Sequence, residues 1–309
     1  MSALRGDVVA GTGRDTLVRS DAGDLLRAHT RSRRIQAVCG DRVLLEPSGA
    51  GRAIILAVEP RSTVFARSSA HRTKILGANV TQVAVLVACE PTFSDELLAR
   101  VLAAAEHAGL PALVALNKID LVERRVEALA RLAPFRGLGY PVIEFSARLD
   151  PDPLRIYLQR QRTLIVGQSG MGKSTLVKAL VPEATVRIRE ISTFLDAGRQ
   201  TTTAARLYRL GAASELVDTP GVSEFGLAAL SAEEIVAGFR EFAPYTGHCR
   251  FPDCRHLAEP DCALAAAAAA GQIHPRRLAL YRHIVRGAGE PQMTAPRPGP
   301  RPRRNRTAA

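Results

Sequence analysis

Residues Gly167, Gln168, Ser169, Gly170, Met171, Gly172, Lys173, Ser174 and Thr175 carry the spacing G-x-x-x-x-G-K-[ST] between the apolar run TLIV and the helical run STLVKAL. In that context the glycines let the backbone curl until several N–H groups and a helix N-terminus point at phosphate oxygens. Lys173 is placed to reach β- and γ-phosphates, and the Ser174 hydroxyl to ligate Mg²⁺. A second set, Asn117, Lys118, Ile119 and Asp120, stands at the carboxyl end of the apolar run PALVAL. Asp120 can accept hydrogen bonds from the N1–H and 2-amino group of guanine. Adenine lacks that donor pair, and leaving a buried carboxylate unpaired costs several kcal/mol, on the order of a thousandfold in selectivity. Asn117 is expected to tie this motif to the phosphate loop, and Lys118 to lie over the base. Ser146-Ala147 follows the strand PVIEF, where a backbone N–H can meet the base oxygen. Taken alone, that dipeptide reads equally well as a polar turn. Asp218-Thr219-Pro220-Gly221 follows SELV; Asp218 suits a water-bridged Mg²⁺, and the Gly221 N–H suits a γ-phosphate. Between them lies GRQTTT, at 198–203, which offers one of Thr201, Thr202 or Thr203 as a further Mg²⁺ ligand.

These parts stand in the order guanine motif, base-oxygen turn, phosphate loop, switch I, switch II. In an ordinary GTPase the phosphate loop comes first. A site is defined by geometry and not by chain order, so the sequence reads as a circularly permuted P-loop GTPase domain. The elements that must position it are legible around it. From residue 82 apolar strands alternate with helices (QVAVLVA, SDELLARVLAAAEHAG, PALVALN, VERRVEALARLAP, PVIEFSA), the pattern of a parallel sheet covered on both faces. Residues 1–62 show short apolar or alternating runs broken by Gly, Asp and Pro, as in a five-stranded OB-like β-barrel. The GTPase domain is placed at 63–226 with a polar link over about 63–78, and a helical domain at 227–289. A basic tail of 290–309, rich in Pro and Arg, lacks apolar periodicity and is expected to be disordered.

Composition sets bounds on partners. The 309 residues are 46% hydrophobic and 23% charged, with a net charge of +12. That excess suits a polyanion, nucleic acid before membrane. No run approaches membrane-span length, and the opening residues lack the apolar stretch of a secretory signal, so a cytoplasmic location is expected. Lysine occurs only at 74, 118, 173 and 178, and two of these four are the lysines of the nucleotide motifs. Of the five cysteines, Cys39 and Cys89 sit in apolar surroundings. The others form Cys249-x4-Cys254-x-His256-x5-Cys262, a Cys3His set suited to one structural Zn²⁺ with no open position for chemistry. In a region with little core, the metal would supply folding energy.

The permuted order, the phrase VDTPGVSEFGL and the string CRFPDCRHLAEPDC resemble the bacterial ribosome small-subunit-dependent GTPase family over about residues 5–290. The resemblance implies an N-terminal OB barrel, a permuted GTPase domain and a C-terminal helical zinc-binding domain. It also implies a GTP hydrolase switched on by the small (30S) ribosomal subunit during its late assembly, acting as a monomer on that subunit and its 16S rRNA, without membrane contact. Family members carry a histidine in switch I where this chain has Gln200, and a hydrophobic residue, here Val222, where an ordinary GTPase has its water-orienting glutamine. Gln200 can position water but cannot act as a base, so slow intrinsic hydrolysis is expected. Residues 1–60 hold no Phe, Tyr or Trp, so RNA contact by Arg31, Arg33, Arg34 or Arg42 to phosphates is expected in place of base stacking. In PRRLALYRHIVR, Leu278, Tyr281, Ile284 and Val285 form an apolar side, while Arg276, Arg277, Arg282 and Arg286 lie largely elsewhere. The rival readings are a large-subunit assembly GTPase and a GTP-gated RNA-binding module with little turnover.

Overall fold

The structure, a computed structural model, describes residues 4–12, 15–32, 35–69, 72–181, 205–211, 213–222 and 224–289. Gln200, Thr201, Thr202, Thr203, Arg33, Arg34 and the tail lie outside the described residues.

Five strands, β1 (Leu4–Thr12), β2 (Asp15–Ser20), β3 (Leu25–Thr30), β4 (Arg42–Pro47) and β5 (Arg52–Val58), close into a barrel. Strand β1 pairs antiparallel with both β2 and β4, and the ring is completed by parallel β3–β5 pairing. Inward residues Val8, Val18, Ala28, Val43, Leu45, Ala53 and Ile55 fill the interior. The period of two that sets this inside and outside is visible in β4, where Val43 and Leu45 are fully buried between less buried neighbours.

Beyond the barrel, β8 (Gln82–Ala88), β9 (Ala112–Asn117), β10 (Val142–Glu144) and β11 (Arg162–Gly167) run parallel. β13 (Ser214–Asp218) is parallel to β11, and β12 (Arg206–Gly211) antiparallel to β13. The strand order is β10-β9-β8-β11-β13-β12, so the phosphate-loop strand lies between a strand of the first half and one of the last. Every residue of β8 is buried, which explains its uninterrupted apolar run. Helices α1 (Asp95–His107), α2 (Val122–Gly137), α3 (Asp152–Leu158) and α4 (Lys173–Leu180) make the crossovers. The barrel is not a separate bead: β1 pairs with β12 at Ala10–Arg206, giving one continuous eleven-stranded sheet. At this joint Glu215 accepts from Arg19 (2.9 Å) and Arg162 (2.7 Å).

The segment read as a link is folded into a hairpin of β6 (Val64–Ser69) and β7 (Arg72–Ala78). Residues 224–229 lie along it: Ser68 N–H donates to Gly226 O (2.9 Å), Arg67 Nη1 to Glu224 O (2.6 Å) and Ala229 N–H to Ser68 Oγ (2.7 Å). A Cβ on Gly226 would stand 2.1 Å from Ser68 O, so only glycine allows this approach. Phe225 packs on Phe65 with ring centroids 5.7 Å apart.

The C-terminal unit holds α5 (Ala232–Ala237), a 3₁₀ turn (Arg240–Phe242), α6 (Ala263–Ala269) and α7 (Pro275–Gly289). Tyr281 meets Phe239 and Phe242 edge-on at 5.5 and 5.4 Å. One expectation for α7 fails. Arg277 is only 2% exposed, with Nε 2.6 Å from Glu241 and its guanidinium 4.9 Å from the Phe135 ring centre and 4.5 Å from that of Phe239. A paired, ring-stacked guanidinium can be buried where an unpaired one cannot. On the barrel, Arg31 pairs with Glu46 and Arg42 with Asp21 and Asp7, so both are engaged in ion pairs within the protein. No helix among the described residues is long and apolar enough to cross a membrane.

Candidate guanine-nucleotide site and Cys3His cluster

The carboxyl ends of β8, β9, β10, β11 and β13 converge on the phosphate loop. Asn117, the last residue of β9 and only 2% exposed, joins three motifs that are far apart in sequence. Its Nδ2 donates to Met171 O (2.9 Å) in the loop, and its Oδ1 accepts from Ala147 N–H and Lys118 N–H, both at 2.8 Å. The Lys118 backbone is left-handed (φ 63°), which turns its side chain across the loop. Lys118 Nζ then donates to Gly170 O (2.9 Å) and Glu90 O (2.7 Å). Ile119 lies against the Ser146 turn through its N–H to Phe145 O (3.5 Å), while Asp120 presents an exposed carboxylate at the mouth. Ser146 is buried, its Oγ accepting from Leu149 N–H.

The loop closes at Gly172, which has φ 90° and caps α4. A Cβ there would lie 2.3 Å from Asn117 Nδ2, so glycine is required both for backbone conformation and for space. Lys173 starts α4 and its Nζ lies 3.2 Å from Asp218 Oδ1 at the end of β13. Burial pushes the Asp218 carboxyl above the usual carboxylate range, and Lys173 and Arg206 oppose that shift. Ser174 and Thr175 are exposed at the mouth, as are Ser169 and Gly170. Thr219 Oγ1 is anchored to Ile165 O (2.8 Å), and Val222 N–H donates to Gly167 O (3.1 Å). These bonds seat Gly221 over the loop, where an added Cβ would be 3.7 Å from Ser169 N.

One neighbour of the site was not foreseen. Gln168 Oε1 accepts from the backbone N–H of Ser94 (2.8 Å), the residue whose Oγ caps α1 by accepting from Leu97 N–H (3.1 Å). Ser-Asp-Glu before an apolar helix signals such a cap, but nothing in the sequence connects it to residue 168.

In the C-terminal unit, Cys249, Cys254 and Cys262 place Sγ at 3.4, 3.5 and 3.4 Å from His256 Nδ1, and the four ligand atoms lie within 4.8 Å of one another. One ring nitrogen can share only one hydrogen bond, so three sulfurs around it are not explained as thiol–imidazole bonding. With Zn–S of about 2.3 Å and Zn–N of about 2.0 Å, a tetrahedron sets S···N near ~3.5 Å, and the donor set fits. Supporting contacts surround it: Ala263 N–H donates to Cys249 Sγ (3.3 Å), Tyr281 OH to Arg255 O (2.9 Å) and Arg282 Nε to His256 O (2.9 Å). Glu259 braces the loop, accepting from Arg255, Leu257 and Ala258 N–H groups. Burial works against its ionisation, but those backbone donors hold its pKa at about 2. Burial, with the neighbouring thiols Cys249 and Cys262, pushes Cys254 up to about 12, and burial lowers His256.

A parallel sheet in which the Asn117–Asp120 motif ends a strand preceding the phosphate-loop strand defines the class: a circularly permuted GTPase. The RsgA GTPase family model matches residues 58–228. The protein named small ribosomal subunit biogenesis GTPase RsgA from Nitrosospira multiformis is 45% identical over 91% of this chain and 90% of its own length. Its namesake from Nitrosomonas europaea is 44% identical over 93% and 92%. Among solved structures, YjeQ from Thermotoga maritima superposes with TM-score 0.69 at 27% identity, covering 93% of this chain and 99% of that one. YloQ, described as a circularly permuted GTPase, shares the fold with TM-score 0.67 at 22% identity, covering 93% and 95%. The chain belongs to the RsgA GTPase family and is a GTP hydrolase.

Proposed function

We propose that this protein hydrolyses GTP to GDP and phosphate as a factor in small ribosomal subunit biogenesis. The observation that carries the reading is Asn117, whose one amide holds the phosphate loop at Met171 O and the Ala147 N–H together. That bracket fixes the distance between the end that would bind base and the end that would bind phosphate. Asp120 would read guanine, with the Ala147 N–H region facing the base oxygen and Lys118 covering the ring. Backbone N–H groups of 168–172 and Lys173 would hold the phosphates. Ser174, Asp218 and one of Thr201, Thr202 or Thr203 would hold Mg²⁺, which when bound neutralises developing charge on the β- and γ-phosphate oxygens. The Gly221 N–H would face the γ-phosphate.

Val222 is apolar and only 3% exposed, so the position that usually carries a water-orienting glutamine brings no such group here. Gln200 is the candidate for that task, and intrinsic turnover should be slow. Binding to the small subunit and its rRNA, favoured by the chain's net charge of +12, would then accelerate it. One structural Zn²⁺ in the Cys3His cluster, a monomeric state and a cytoplasmic site of action complete the proposal.

The test is phosphate release from GTP by the purified protein alone, with small subunits and with large subunits. Strong stimulation by small subunits alone is expected. Stimulation by large subunits would overturn the assignment of partner. GTP-dependent binding to small subunits without turnover would replace the hydrolase with a nucleotide-gated RNA-binding protein.

A further inference from the structure

Asp95 is the first residue of α1, and its carboxylate is only 7% exposed. One oxygen accepts from Arg131 Nη2 of α2 at 2.9 Å, and the other from Arg276 at the start of α7. The preceding residue, Ser94, donates its N–H to Gln168 Oε1 in the phosphate loop. Two adjacent residues thus join the C-terminal helix to the loop at residue 168. The middle of α7 is tied to the cysteine cluster, because Tyr281 and Arg282 bond the backbone of Arg255 and His256. Arg276 is half exposed, so its side of the pair is open to outside influence.

We propose that Asp95 is a positioning residue through which α7 holds the phosphate loop in its nucleotide-binding form. A buried carboxylate needs both guanidinium partners, and removal of one leaves it under-compensated. The N-terminus of α1 then shifts toward a new partner and carries the Ser94 N–H off Gln168. A displacement of the Cys3His unit reaches the same point along α7. The cluster would thereby sense its surroundings and report to the nucleotide pocket. This proposal rests on the guanine-nucleotide reading of the loop.

The test is a double-mutant cycle, because only coupling distinguishes a relay from two unrelated injuries. Affinity for a fluorescent GDP analogue is measured by titration in the wild-type protein, Arg276→Ala, Gln168→Met, their combination, and Arg276→Lys, with zinc content assayed in each. Arg276→Ala and Gln168→Met are each expected to weaken binding about fivefold with zinc retained, and Arg276→Lys to restore most of what Arg276→Ala loses. The double variant should be no weaker than the worse single variant, where independent effects would multiply to about 25-fold. Unchanged affinity in Arg276→Ala, multiplying effects, or a loss that tracks loss of zinc would each overturn the relay. Failure of the wild-type protein to bind the analogue would overturn the nucleotide reading itself.

Discussion

The nucleotide pocket and the Cys3His cluster both gather residues that are distant or awkwardly spaced in the chain, but they do so by opposite means. The pocket is assembled by the sheet. Its loops spring from strand ends whose order is fixed by fully buried residues such as Val83, Leu86, Leu164 and Leu216, and Asn117 only locks what the sheet has brought together. The cysteine cluster sits on loops between helices, with Tyr281, Phe239 and Phe242 packed edge-on nearby. The first site is therefore a property of the fold, and the second offers a donor set whose shape a Zn²⁺ would complete.

The largest effect should come from withdrawing that ion. Chelation, or Cys262→Ser, removes a contribution of order 10 kcal/mol and should unfold residues 245–275, seen as protease sensitivity confined to the C-terminal unit. The GDP analogue should still bind, several-fold more weakly. Complete loss of nucleotide binding would show that the pocket, too, depends on the metal. Next comes Lys173→Ala, which should lower kcat/KM for GTP by about 10²–10³ without moving the thermal midpoint. A fall in midpoint comparable to that of a core variant would mean that the Lys173–Asp218 pair is structural.

Gly172→Ala follows, since its Cβ meets Asn117 at 2.3 Å and its φ of 90° is strained for alanine. It should cost about 1–3 kcal/mol in denaturant unfolding and abolish tight nucleotide binding. Acidification separates the sites more gently. Burial holds the Cys254 thiol toward about 12, so metal binding must expel protons. Zinc affinity should fall as pH falls from 8 to 6, measured by competition with a chromogenic chelator. A flat profile would indicate that thiolates are not the ligands. The smallest effect is expected at the barrel joint: Arg19→Met leaves Glu215 paired with Arg162 and should change stability by under about 1 kcal/mol.

The same contrast explains what could be read in advance. Phosphate loop, guanine motif and DTPG turn announce themselves because their chemistry fixes residue types at fixed spacings, and β8 does so because burial on both faces demands an unbroken apolar run. The β6–β7 hairpin gives no such signal. Its residues mix Arg, Ser and Lys with apolar positions, and its third partner, 224–229, lies about 150 residues downstream. Helical periodicity puts Arg277 on the basic side of α7 because it treats every arginine as solvent-facing, whereas the side chain is buried. Its partners Glu241, Phe135 and Phe239 belong to other elements and leave no trace in that helix. The Gln168–Ser94 bond was equally hidden, since it joins a side chain to a backbone N–H and places no demand on the type of residue 94.

The position of β11 between β8 and β13 has a consequence for the order in which the protein comes into being. A ribosome making this chain delivers the barrel first, then Asn117 and Asp120, and only about a hundred residues later Asp218 and Gly221. At 5–20 residues per second that interval lasts roughly five to twenty seconds. Throughout it the nascent chain holds the Asn117–Asp120 motif without the Asp218–Gly221 turn. Strand β12, which joins the sheet to β1 at Ala10 and Arg206, is made late in the same interval. The C-terminal unit, whose last helix reaches the phosphate loop through Asp95 and Ser94, is made later still, so a chain released early lacks the parts on both sides of the loop.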